Sequence, residues 1–126
     1  MILLCRVDEL ARTGARSVVL GTPPDTLDVL VVQTPAGRRA YINACPHQFI
    51  PLETFPDWVF TEDRKHLFCS GHGALFVPET GLCTEGPCDG DSLQRLTIVE
   101  AEGAIYLNEP LSPPEIARAQ KAKRNW

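Results

Sequence analysis

"CSGHGALF" (residues 69–76) is the stretch whose reading decides this chain. It sets Cys69 three residues before His72, among serine and glycine. Upstream, "ACPHQ" (44–48) also pairs a cysteine with a histidine, Cys45 and His47, here two apart. Between His47 and Cys69 lie 21 residues. Two thiolates and two imidazoles make a full set of metal ligands. A structural zinc site is one reading of that set. Zinc fingers, however, usually pair two cysteines in one arm and two histidines in the other. Here each arm mixes one of each, and both arms lie in Gly/Pro loops.

Mixed arms suit an asymmetric two-iron cluster, in which each loop gives its cysteine to one iron and its histidine to the other. Glycines beside the ligands let backbone N–H groups approach bridging sulfides that a side chain would block.

The rest of the chain agrees with a small soluble protein. Its 126 residues suffice for one domain and not for two. The net charge of −4 argues against nonspecific nucleic-acid binding. No apolar run is long enough to span a bilayer. "MILLCRVDEL" (1–10) is broken by Arg6 and is read as the first strand, not as a secretion signal. A cytoplasmic location with reduced thiols is expected. The five cysteines are an odd number, which points to metal binding or catalysis over a disulfide framework.

Short β-branched runs dominate. "RSVVL" (16–20) ends in the loop "GTPPD" (21–25). "DVLVVQT" (28–34) and "RRAYINA" (38–44) flank a turn, as do "RLTIV" (95–99) and "AIYLN" (104–108). This predicts an all-β fold, an antiparallel sandwich or small barrel. Residues 44–91 read as a loop-rich subdomain inserted into that scaffold, with short strands at "HLFC" (66–69) and "ALFV" (74–77). So little core calls for a staple, and a metal is one.

The domain is placed at 1–112, with a basic tail at 113–126. That tail reads as a short C-terminal helix, with Ser112 as N-cap, Pro in the first turn and bases late. It carries four bases against Glu115, whereas residues 1–112 carry eight bases and fifteen acids.

"CPHQFIPL" and "CSGHGALFVPETGLCTEGP" resemble the two cluster-binding boxes of Rieske-type proteins, over about residues 1–108. The resemblance implies a Rieske fold with one [2Fe–2S] cluster per chain. Cys45 and Cys69 would hold the inner ferric iron, and His47 and His72 the outer iron that changes valence. "GPCDG" (86–90) looks like the family's proline loop. The segment between the boxes is a few residues longer than in common Rieske ferredoxins. Its Phe55, Trp58 and Phe60, with Asp57, Glu62 and Asp63, would either close a small apolar cluster or form a partner surface. His66 is not expected to be a ligand, and Cys5 reads as a small core residue. Cys83 and Cys88 could bond to each other, but in a reducing cytosol they read as two reduced thiols near the proline loop. The disulfide of respiratory Rieske proteins uses a cysteine inside each box, and those positions here are Ile50 and Gly71.

Full Rieske oxygenases also carry a mononuclear iron on two histidines and a carboxylate. The three histidines here leave only His66 beyond the cluster pair. The chain is therefore expected to carry electrons and not to catalyse. Its expected partners are a reductase and an oxygenase, as the ferredoxin component of an oxygenase system. A Rieske subunit of a larger redox enzyme, similar to the small subunit of assimilatory nitrite reductase, and a redox-sensing module are the alternatives. High-potential Rieske proteins place a Ser two residues and a Tyr four residues after the second histidine. Ala74 and Phe76 stand there instead, with no hydroxyl to donate, which implies a low potential.

Overall fold

The computed structural model describes residues 1–22, 25–44, 52, 58–69 and 73–109. Its strands are β1 (Ile2–Arg6), β2 (Ala15–Thr22), β3 (Asp25–Thr34), β4 (Gly37–Ile42), β5 (Leu67–Phe68), β6 (Leu75–Phe76), β7 (Cys83–Glu85), β8 (Arg95–Leu96), β9 (Ile98–Ala101) and β10 (Ala104–Leu107). One 3₁₀ turn, Val7–Leu10, follows β1. The strands form three antiparallel sheets in the orders β1-β10-β9, β2-β3-β4-β8 and β5-β6-β7. The all-β reading holds. Among the described residues the sheets are separate and do not close into a barrel.

The middle sheet is covered on both faces. Successive strand residues point to opposite sides. Leu30 and Val32 of β3 enter one core with Tyr41, Leu67, Cys69 and Phe76. Leu27, Val29 and Val31 enter the other with Cys5, Ala40, Ile105 and Leu107. That is why residues 29–32 of β3 are continuously apolar instead of alternating. The fold is thus three layers, with the middle sheet between the terminal sheet and the small β5-β6-β7 sheet. Cys5 is a core residue, as its sequence context predicts.

Three local expectations change. The strands around "GTPPD" continue further than the sequence suggests: β2 runs to Thr22 and β3 starts at Asp25, with Gly21 opposite Thr26. A long hairpin arm results. "RLTIV" is not one strand. Arg95 and Leu96 pair with β4, whereas Ile98 and Val99 pair with β10. The chain changes sheets at Thr97, whose N–H donates to Glu109 Oε2 (2.7 Å) and whose carbonyl accepts from Asn108 N–H (2.9 Å). β7 lies within a Gly/Pro-rich run and carries no period-2 apolar signal, so it went unread. The helix expected at 113–126 lies outside the described residues.

The turn at 35–36 shows how the sequence builds this scaffold. The Thr34 hydroxyl donates to Gly37 O (2.7 Å) and accepts from Ala36 N–H (3.1 Å). It closes the β3–β4 hairpin in register, Thr34 opposite Gly37.

Tyr41 joins the middle and small layers. Its ring is fully buried and its hydroxyl donates to Pro78 O at 2.7 Å. Gly81 lies so close that an added Cβ would sit 2.9 Å from the Tyr41 ring. Burial pushes the phenol up to about 12, with the Arg95 and Arg39 guanidinia pulling the other way. The unfolded phenol titrates near 10. A raised folded pKa gives stability that is complete below pH 10 and is lost as the pH rises towards 12. The loss is about 2–3 kcal/mol. Tyr41→Phe also leaves the Pro78 carbonyl unpaired, which costs about 1–3 kcal/mol at neutral pH. Urea unfolding from pH 7 to 11 measures both effects. The variant starts less stable and loses less on alkalinisation. An alkaline loss as steep as that of the wild type would contradict this account.

Candidate metal centre

The second box begins where β5 ends. Cys69 N–H donates to Ala74 O and Gly73 N–H donates to Cys69 O, both at 2.9 Å. These bonds hold residues 73 and 74 against Cys69, and Ser70 to His72 lie outside the described residues. Cys69 is fully buried beside Ala74 and Phe76 in one apolar cluster. The turn is backed by Gly86, where an added Cβ would lie 2.8 Å from the Ala74 Cα. Only glycine allows the 86–90 segment to lie this close to the second box.

The first box spans the gap between Ala44 and Leu52, both buried. Cys45 and His47 lie outside the described residues, as do Ile50 and Gly71. The flanks are nonetheless well tied. The Asn43 Oδ1 accepts Leu52 N–H at 3.0 Å, so a single side chain holds the two ends of this loop. Asn43 is itself fully buried, and its N–H donates to Asp28 O (2.9 Å). Its Nδ2 lies 3.4 Å from Ser17 Oγ and from Asp28 Oδ1. Residues 43 and 52 are therefore tied to β2 and β3. Sequence reasoning missed Asn43, because "INA" reads as the end of a strand and nothing in it marks a buried amide.

Leu52 packs in the same cluster as Cys69, Ala74 and Cys88. The end of the first box thus meets the start of the second. Among the described residues no three metal-ligating side chains come together. The remaining donors of the predicted set, Cys45, His47 and His72, sit on the segments that these anchors bracket. The buried Cys69 thiol, with a second thiol and two imidazoles in the sequence of the two boxes, fits an iron–sulfur cluster in donor chemistry.

The inter-box segment divides its aromatics. Phe60 pairs with Leu67, and Phe68 N–H donates to Val59 O (2.7 Å), so residues 59–61 extend the small sheet. Val59 is buried, and Phe60 packs on the core and against Gly14. These residues close an apolar cluster. Trp58 is 55% exposed, with the Arg12 guanidinium 5.7 Å from its ring centroid. Arg64 adds a bond from Nη2 to Arg12 O at 2.9 Å. Glu62 and Asp63 are exposed, and Phe55 and Asp57 lie outside the described residues. Bonds from the Thr61 hydroxyl and then the Lys65 amide hold the Asp63 carboxyl below the usual carboxylate range. His66 lines a shallow groove with Phe60, Glu62, Asp63, Phe68 and Leu75. Among the described residues it joins no group of metal-ligating side chains.

Several known structures share this fold. A ferredoxin from Sphingomonas yanoikuyae B1 aligns over 86% of this chain and 98% of its own, with TM-score 0.63 and 19% identity. The ferredoxin of carbazole 1,9a-dioxygenase from Nocardioides aromaticivorans IC177 aligns over 86% and 97%, with TM-score 0.64 and 21% identity. The terminal oxygenase of carbazole 1,9a-dioxygenase from Novosphingobium sp. KA1 aligns over 87% of this chain but only 31% of its own, with TM-score 0.65 and 18% identity. No curated protein matches the sequence. The Rieske [2Fe-2S] domain family model matches residues 1–101. With most of its length inside that match, the chain belongs to the Rieske [2Fe-2S] domain family, whose cofactor is a Rieske-type [2Fe–2S] cluster.

Proposed function

We propose that this chain is a one-electron carrier, working as the ferredoxin component that passes electrons from a reductase to an oxygenase. The observation that carries the reading is Cys69: a thiol at the end of β5, fully buried in a turn backed by Gly86. In this reading Cys45 and Cys69 hold one iron, and His47 and His72 hold the other. When bound, the cluster supplies reversible one-electron chemistry. The chain's own residues hold it, keep water from Cys69 and present the histidine side to a partner. Asn43 fixes the length of the first loop, and Gly86 lets the proline-loop segment cover the second.

Two features support carriage over catalysis. The chain's third histidine, His66, cannot alone provide a two-histidine, one-carboxylate iron site. The fold also aligns with nearly the whole length of two ferredoxins. The fold is also shared with a chain of the complex of reduced oxygenase and oxidized ferredoxin in carbazole 1,9a-dioxygenase, which makes an oxygenase the partner class to test. Phe68 is exposed in the groove that Glu62 and Asp63 also line. An apolar side chain with acidic neighbours suits a partner with a basic docking face. No helix of the described residues is long and apolar enough to cross a membrane. A cytoplasmic location is part of the proposal. The same fold within a longer oxygenase chain favours a second reading, a Rieske subunit of a larger redox enzyme. Gel filtration of native extract separates the two, since a stable stoichiometric complex would sink the free carrier.

The purified protein is expected to be red-brown, with about two irons and two sulfides per chain. Colourless protein with zinc would refute the cluster. His47→Cys and His72→Cys are each expected to lose the native spectrum, and an unchanged spectrum in both would show that the ligands are misassigned. The midpoint potential is expected at the low end of the Rieske range, on the order of −150 mV. Ala74 and Phe76 are both buried beside Cys69 and neither donates a hydrogen bond. Ala74→Ser adds a hydroxyl there. If that hydroxyl bonds the reduced cluster, the midpoint rises by roughly 60–100 mV. Protein-film voltammetry reads both values, and a wild-type midpoint well above zero would overturn the assignment.

A further inference from the structure

Two cysteines outside the four-ligand set lie in contact. Cys83 begins β7, and Cys88 sits in the exposed turn that follows it. Backbone bonds fold that turn back onto the strand. Cys83 N–H donates to Asp91 O (2.7 Å), Gly90 N–H to Cys83 O (3.1 Å) and Asp91 N–H to Cys88 O (2.8 Å). Both side chains are consequently buried, at 1% and 2% exposure. Their sulfurs lie 2.8 Å apart, with the Cys88 thiol donating to Cys83 Sγ. The Cys83 thiol donates in turn to Glu85 O at 3.3 Å. The gap is about 0.8 Å longer than an S–S bond. No large backbone movement separates the dithiol from a cross-link.

We infer that Cys83 and Cys88 form a reversible disulfide site, which a low-molecular-weight disulfide oxidises and a thiol reduces, and which braces the loop behind Cys69. In the forward step one cysteine thiolate attacks a sulfur of the oxidant and expels one thiolate. The second cysteine thiolate then attacks the mixed disulfide and expels the other. Two thiol protons pass to the two released thiolates. The protein is oxidised by two electrons, and the small disulfide is reduced by the same two. The Glu85 carbonyl loses its S–H donor in this step. Glu85 is exposed, so water replaces that donor without a buried loss.

The consequence for the centre follows from packing. Gly86 lies between the two cysteines in sequence and abuts the Ala74 backbone. Ala74 O accepts the Cys69 N–H. A covalent link from residue 83 to residue 88 restrains the segment that bears Gly86, so it restrains the closure of the 69–74 turn. This site differs from the disulfide of respiratory Rieske proteins, whose positions here are Ile50 and Gly71. The two exposures also set the kinetics. The reagent must wait for the 86–90 turn to lift, so exchange is slow while the equilibrium still favours the close pair.

The test uses the cluster-loaded full chain, incubated to equilibrium in mixtures of oxidised and reduced glutathione, with diamide as a smaller oxidant in parallel. After quenching and alkylation, cleavage behind glutamate releases residues 80–85 and 86–100, each with one cysteine. The expected product is these two peptides joined, two hydrogens lighter than their sum, and separated again by dithiothreitol. Cys88→Ser is expected to give no joined peptide and to leave Cys83 as a mixed disulfide with glutathione. Iron release to a chelator is expected to slow several-fold in oxidised wild type and to be indifferent to oxidation in Cys83→Ser and Cys88→Ser. Recovery of both peptides separately alkylated under both oxidants would overturn the site. Cross-linking to Cys69 instead would overturn it as well. A joined peptide with unchanged iron release would overturn the bracing. The peptide masses do not depend on what Cys69 binds, so this outcome stays distinct from failure of the carrier reading.

Discussion

β3 has no face for water, and the rest of the molecule is arranged around that fact. A strand of Leu27, Val29, Leu30, Val31 and Val32 is apolar on both sides and must be covered twice. The terminal sheet covers the side of Val29 and Val31, through Ile105 and Leu107. On the side of Leu30 and Val32 the cover is the small sheet, through Leu67 and Phe76. The small sheet has only short strands of two or three residues, which could not hold a fold by their own pairing. It persists because it caps an existing apolar surface. The metal-binding region is therefore a lid on β3, and its stability is borrowed from the scaffold.

Polar ties at two points hold that lid. Tyr41 reaches across from β4 to the Pro78 carbonyl, and Asn43 reaches from the end of β4 to Leu52. Tyr41 lies on β4 and Asn43 in the bend just past its end. One ties the loop behind the second box and the other ties the first box. Hydrogen bonds made in a buried setting specify geometry more than they add net stability. In this molecule they set where Pro78 and Leu52 stand against the end of β4.

Much of this was legible in the sequence because the signals are local. The β-branched runs at 16–20, 28–34 and 104–108 each correspond to strands. The two Cys–His boxes carried the family. What was not legible depends on partners distant in the chain. Leu96 and Ile98 look like one strand, yet they serve opposite pairings because β4 stops accepting partners at that point. Residues 83–85 became β7 only because Leu75 and Phe76 lie alongside. The role of Asn43 depends on Leu52, nine residues later and across a loop with no period of its own. Cys83 and Cys88 could be counted in the sequence, but their contact comes from the fold of the 83–91 turn.

The same packing separates two kinds of change. Residues that face the terminal sheet, such as Val29 and Ile105, belong to a core that contains no ligand. A cavity there weakens the scaffold as a whole. Residues that face the small sheet share their core with Cys69 itself. A cavity there removes neighbours of the Cys69 thiol, and in the proposed ligand set it changes the water and dielectric around the cluster. Ala74 stands at the centre of this second group. It accepts the Cys69 N–H through its carbonyl, takes the Gly86 backbone against its Cα and, in the proposed reading, fills the position where a hydroxyl would raise the potential. Its small apolar side chain thus serves packing and tuning together. A larger residue would push away Gly86, and a polar one would alter the thiol it adjoins.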